Sequence, residues 1–142
     1  MTTPYYGQHL MGDIAGCERG TMQDPIYLTR FLAALVQALG MTLMAPPHVD
    51  AYHGPQGDGY SATAHITTSN ITLHTFAHGY VFLDVFSCTL FDRTLVDTIV
   101  RQWFGTERTN AVWRTVERGL NYPPAWIDPR MKTAQNPVAG PP

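Results

Sequence analysis

Charge is what this chain has least of. Asp, Glu, Lys and Arg make up 14% of its 142 residues, the formal net charge is −2, and lysine occurs once, at Lys132. Without a basic stripe, nucleic acid is not an expected partner. So little charge beside 44% hydrophobic residues points to apolar surface hidden by self-association. Cysteine is scarce too. Cys17 and Cys88 are too few for a disulfide framework, so free thiols in a reducing compartment are expected. No Cys-x-x-Cys is present, and His48, His53, His65 and His78 match no common zinc spacing, so no metal site is expected. The longest apolar stretch, near residues 31–44, is broken by Gln37 and Gly40 and is too short for a bilayer, so no membrane partner is expected. The opening Met-Thr-Thr-Pro-Tyr-Tyr has no basic segment followed by an apolar one, which leaves the cytoplasm as the expected location. The Gly-x-x-Gly pieces near 54–59 do not lead from a strand into a helix, which excludes a phosphate loop.

What is present reads as a single domain over 1–122 and a proline-rich irregular tail over 123–142. Residues 6–14 read as a first strand, and 16–20 as a turn. Asp24-Pro25 opens a helix, since Asp is a good N-cap and Pro suits the first helical position. Leu28, Phe31, Leu32, Leu35, Val36 and Leu39 then recur at spacings of three and four, and Gly40 is the natural stop. Residues 41–45 are expected to enter a strand that Pro46-Pro47 interrupts. A glycine-rich turn over 54–59 precedes three strand-like runs, 60–67, 70–77 and 80–88. Their short connections imply an antiparallel meander. The last run is apolar on both faces, so it is expected to be central and covered on both sides. Asp92 to Phe104 reads as a second helix, and Thr109 to Leu120 as its continuation or a third.

The meander carries the reactive side chains. Ser69 lies at a tight strand–strand junction. A serine hydroxyl held against the preceding carbonyl carbon can attack it and turn the Thr68–Ser69 amide into an ester. Loss of the α-proton of residue 69 then expels the Thr68 carboxylate, and hydrolysis of the dehydroalanine leaves a pyruvoyl group. Strain in the turn favours the attack. A pyruvoyl carbonyl forms a Schiff base with a substrate amine and draws in the electrons of a departing carboxylate, with no lysine needed to hold it. Five residues on, His74 is expected to lie near the turn as a proton acceptor. The Ser61 hydroxyl is expected to hold the scissile carbonyl or to position His74, and the Cys88 thiol to protonate the carbanion left by decarboxylation. Taken singly, each has an ordinary reading: a turn serine, a strand histidine with a cross-strand partner, a small buried hydrophobe.

In combination, Ser61, Ser69, His74-Thr75 and Asp84-Val85-Phe86-Ser87-Cys88 resemble, in order, the prokaryotic-type S-adenosylmethionine decarboxylase proenzyme family. Gly7-Gln8-His9-Leu10, Cys17, Ala38-Leu39-Gly40 and Pro55-Gln56-Gly57 extend the resemblance over about residues 6–105. The resemblance implies an α+β fold, a two-layer sandwich with an antiparallel sheet, helices on one face and a second copy on the other. It implies cleavage between Thr68 and Ser69, a pyruvoyl cofactor derived from Ser69, assistance from Ser61 and His74, and Cys88 as proton donor. It implies S-adenosylmethionine as substrate, feeding polyamine synthesis, with Phe76 and either Tyr52 or His53 as flat faces for adenine. The chain departs from the family at Thr68-Ser69-Asn70, where Glu-Ser-His is usual, and at Phe76-Ala77-His78, where Trp-Pro-Glu is usual. Two alternatives stay open: the same chemistry on ornithine or arginine, and an unprocessed, non-catalytic relative that binds a nucleoside or a protein.

Overall fold

The computed structural model describes residues 6–55, 57–105 and 107–127. Strand β1 (Gly7–Ala15) leads through a short helix α1 (Arg19–Met22) into helix α2 (Pro25–Ala38). Strands β2 (His48–Gly54), β3 (Gly57–Ile66), β4 (Ser69–Phe76) and β5 (Tyr80–Ser87) follow, then helix α3 (Arg93–Phe104), strand β6 (Asn110–Arg118) and a 3-10 turn at Pro124–Trp126. The starts of α2 and α3 are those expected, whereas α1 falls partly in what reads as the 16–20 turn. The Asp24 carboxylate accepts the N–H groups of Ile26 and Tyr27 at 3.0 and 3.1 Å, and that of Asp92 accepts Thr94 N–H at 2.8 Å.

All pairings are antiparallel, and the strand order is β2-β3-β4-β5-β1-β6. The alternation of the strands sorts the two faces. Leu10 and Ile14 of β1, Ala62, Ala64 and Ile66 of β3, Ile71 and Leu73 of β4, and Val81, Leu83 and Val85 of β5 are buried on the inner face. They pack against Leu28, Phe31, Leu32 and Leu35 of α2 and Val96, Ile99, Trp103 and Phe104 of α3. The result is the α+β, two-layer architecture. Strand β5 is interior, between β4 and β1. Its outer face is partly covered within one chain: Phe82 is 42% exposed, while Phe86 lies under Tyr6 and the Arg118 guanidinium.

Three local expectations are corrected. Residues 41–45 form no strand; Leu43 makes one isolated bridge to Ile66, and pairing resumes only after Pro46-Pro47, whose ring nitrogens have no N–H to donate. Thr109 to Leu120 is not helical: 110–118 is the edge strand β6, paired along its length with β1. The turn read over 54–59 is tighter, because β2 runs to Gly54 and β3 begins at Gly57. The tail beyond Ile127 lies outside the described residues.

Candidate active site

The β3–β4 hairpin closes on the pair Ile66 and Ser69, leaving Thr67 and Thr68 as a two-residue loop. Thr68 has φ 58° and is, among the described residues, the only non-glycine with positive φ. A β-branched residue is costly there, because its Cβ crowds the backbone. Ser69, the first residue of β4, is buried. Its Oγ accepts the Cys88 backbone N–H at 3.1 Å and lies 3.5 Å from Cys88 Sγ. The Thr68 hydroxyl donates to Thr67 O at 2.6 Å, and its oxygen lies 2.9 Å from the same sulfur. Cys88 reaches this position because the chain bends after β5: the Ser87 hydroxyl donates to Thr89 O at 2.6 Å and accepts Thr89 N–H at 3.0 Å. A hollow of about 260 Å³ opens onto Ser69 and Cys88, walled by Ile66, Thr67, Thr89 and the 40–42 segment after α2.

Ser61 and His74 form a second cluster. They are direct cross-strand partners on the outer face, with Oγ 2.9 Å from Nδ1. Ser61 thus lies within hydrogen-bond reach of His74, on the face of the sheet away from the helices. A hollow of about 310 Å³ over this pair is lined by Tyr52, Tyr60, Ser61, His74, Thr75, Phe76 and Phe82. Phe76 and Phe82 meet edge to face at 6.0 Å. Tyr52 enters from β2, opposite Gly59, which has no side chain to block it. His53 does not: it faces the other way and pairs with Asp58 at 3.0 Å.

Within one chain the two clusters do not meet. His74 is on the same strand as Ser69, five residues further on. At ~3.3 Å per residue that is roughly 16 Å, and the odd spacing turns the two side chains to opposite faces. The expectation of His74 beside the turn is corrected accordingly. Between the clusters, on the outer face, His9 Nε2 lies 2.9 Å from Asp84 Oδ1, a pairing the sequence reading did not make. It also assigned Thr68 to the cut alone and missed its contact with the thiol. The signal available was a threonine in a two-residue loop, where glycine or asparagine is usual.

A larger hollow of about 790 Å³ lies at the opposite end of the sheet, bordered by 16–20, His78, Phe104, Gly105, Glu107 and Arg108. Its nucleophile is Cys17, and burial pushes that thiol up to about 11. The thiol is thus protonated at neutral pH, and Cys17 bonds a main-chain carbonyl, that of Ile14, at 4.0 Å. Size alone does not make that hollow the reactive one. Among the described residues no group of three His, Cys, Asp or Glu is arranged to hold a metal ion.

Sheet, helix layer and reactive hairpin together define a class: an antiparallel α+β sandwich with a buried serine–cysteine contact at a strained turn. The family model described as S-adenosylmethionine decarboxylase matches residues 8–119. The chain belongs to that family. It is 33% identical over 86 residues to the S-adenosylmethionine decarboxylase proenzyme of Clostridium botulinum (strain Loch Maree), covering 60% of this chain and 71% of the relative. It is 23% identical over 107 residues to the proenzyme of that name from Geobacillus kaustophilus, covering 75% and 83%. In fold it is similar to the crystal structure of the adenosylmethionine decarboxylase from Aquifex aeolicus VF5, with a TM-score of 0.64, 19% identity, and coverage of 81% and 92%.

Proposed function

We propose that this chain is the precursor of a pyruvoyl-dependent S-adenosylmethionine decarboxylase. It cuts itself between Thr68 and Ser69 into segments 1–68 and 69–142 and supplies decarboxylated S-adenosylmethionine for polyamine synthesis. The observation that carries the proposal is the 68–69 junction: a left-handed threonine next to a buried serine whose oxygen is held by Cys88. The backbone N–H of Cys88 occupies a lone pair of Ser69 Oγ and leaves the hydroxyl proton on the side of Sγ, 3.5 Å away. Attack of Oγ on the Thr68 carbonyl carbon relieves the left-handed strain at residue 68, because the cut frees that residue from the hairpin. The residues fit the cofactor: position 69 is buried, opens onto the hollow, and has a thiol in reach. A pyruvoyl group at residue 69 supplies an electron sink for the electrons of a departing carboxylate. Cys88 is placed to return a proton to the substrate carbon.

The outer hollow has the chemistry of a nucleoside pocket. Phe76, Phe82 and Tyr52 offer flat faces to a purine and to a sulfonium cation. One chain holds this pocket and its Ser61–His74 pair roughly 16 Å from Ser69 along β4, at ~3.3 Å per residue. We place a second copy on the outer face, with the partner's 67–68 hairpin end, where Ser69 opens onto its hollow, laid over the aromatic pocket; in a two-fold dimer the contact is reciprocal, so each chain's His74 and aromatic hollow serve the partner's Ser69. The exposed Phe82 and Val116 on that face, 42% and 44% accessible, would be covered in the same step. No helix among the described residues is long and apolar enough to cross a membrane; the cytoplasm is the location we propose.

Two readouts test this. Carbon dioxide release is expected from S-adenosylmethionine and not from ornithine or arginine, and is expected to vanish in Ser69→Ala. Release from ornithine or arginine instead would replace the substrate; release from Ser69→Ala would end the mechanism. Co-expressing Ser69→Ala with His74→Ala is expected to restore cutting of the His74→Ala chain, because its partner brings an intact imidazole. Cutting no faster than in His74→Ala alone contradicts the two-copy site.

A further inference from the structure

We infer that Gly54 is a positioning residue for the outer hollow: its missing side chain lets the Tyr52 ring lie along β2 and stand as one wall of that hollow. Strand interiors disfavour glycine, so one found there needs a reason. At positions 16, 40, 57, 79, 105 and 119 the reason is a left-handed backbone; Gly54 is not among them. Its reason is its neighbour. Residues 52 and 54 share a face of β2, and strand side chains lean along the chain. A Cβ placed on Gly54 would overlap the Tyr52 hydroxyl and Cζ and lie 2.9 Å from Cε1. Beyond the adjoining residues, the three atoms nearest to it all belong to that one side chain. An aromatic ring laid over an edge-strand glycine also restores the cover that glycine lacks. Among the described residues no hydrogen bond or ring contact pins Tyr52, which is 44% exposed, so the space over Gly54 decides its lean. The lean matters for the hollow. Tyr52 and Phe76 both pair with Gly59 across the sheet, so no side chain stands between the two rings. A tyrosine that leans toward residue 54 keeps this gap open to a planar guest. For the substrate this rests on the decarboxylase reading above; for the pose of Tyr52 it does not.

The test starts from a chain that carries Ser69→Ala, to keep it whole, labelled throughout with 3-fluorotyrosine. The Tyr52 fluorine signal is assigned by its loss in Tyr52→Phe. Gly54→Ala is expected to shift that signal and to leave those of Tyr6, Tyr27 and Tyr122 in place. An unmoved Tyr52 signal overturns the inference. If Gly54→Ala fails to fold, adding Tyr52→Ala is expected to restore folding. Failure of both overturns the inference as well, since the glycine would then serve the backbone and not the ring. In the processed enzyme Gly54→Ala is expected to raise KM for S-adenosylmethionine about fivefold with kcat unchanged, the scale of one lost aromatic contact. Tyr52→Ala is expected to do the same, and the two together to do no more than either alone. An unchanged KM in Gly54→Ala overturns the pocket half, and so do losses that add, because Gly54 would then act on something other than the ring. The fluorine measurement needs neither cutting nor substrate, so it stands or falls separately from decarboxylation.

Discussion

The two ends of the β4–β5 pair are built from the same parts to different ends. Each has a tight turn or bend, a residue with left-handed backbone and a buried cysteine. At the 77–79 turn the left-handed residue is Gly79, with φ 95°, and its carbonyl accepts the Cys17 N–H at 2.9 Å. At the 67–68 turn it is Thr68, although glycine occupies positions 16, 40, 57, 79, 105 and 119, the other left-handed sites among the described residues. One end is relaxed and its thiol is packed away; the other is strained and its thiol is ringed by hydroxyls. The difference marks the end at which we place the proposed cut.

The comparison breaks most visibly if the cysteines exchange roles. Cys88→Ala is expected to permit cutting but to slow turnover about 100-fold or more, the scale of a lost general acid. Cys17→Ala is expected to cut and turn over as before. Steady-state kinetics on the two purified variants decide it, and equal losses would erase the distinction between the ends.

The turns give the next largest effect. Gly79→Thr is expected to destabilise the fold by about 3 kcal/mol, from left-handed strain plus a Cβ only 2.6 Å from Cys17 O. Thr68→Gly is expected to stabilise a Ser69→Ala chain by about 1 kcal/mol, strain relief less the added backbone entropy of glycine. Urea denaturation of the uncut chains measures both. A loss of stability in Thr68→Gly would mean that the threonine is not strained.

The smallest effect belongs to the structural end. Asp97 accepts Arg101 Nε at 2.9 Å and Trp113 Nε1 at 2.7 Å, tying α3 to β6. Burial alone would raise its carboxyl, but the hydrogen bonds from Arg101 and Trp113 outweigh it and hold the group below the ordinary carboxylate range. A carboxylate lowered in the folded state adds stability that is full above its unfolded pKa and lost as pH falls through the folded one. Asp97→Asn is accordingly expected to cost about 1 kcal/mol at neutral pH. The gap in melting temperature from wild type should close as the solution is acidified below the usual carboxylate range. A gap that does not change with pH would remove the ion pair from the account.

Much of the fold was legible because its signals were local. The meander was read within a few residues, and the Asp24 and Asp92 caps placed both long helices. Strand β6 was misread for a physical reason. Val112, Val116 and Leu120 recur every four residues, and four is a spacing that shares one face of a helix and also one face of a strand. Strand β2 escaped because an edge strand with a mostly exposed surface, such as His48–Gly54, has no apolar alternation to show. The candidate site was legible in its residues but not in its grouping. Five residues from Ser69 to His74 looked like proximity; in a strand they mean distance and opposite faces, a grouping that no local signal in the sequence reports.

The most direct measurement is the intact mass of the purified protein, followed over time. Two segments are expected, 1–68 and 69–142, the second with a pyruvoyl group in place of an amino terminus, and Ser69→Ala should stay whole. A single wild-type species near 15.8 kDa that persists on incubation would contradict the account.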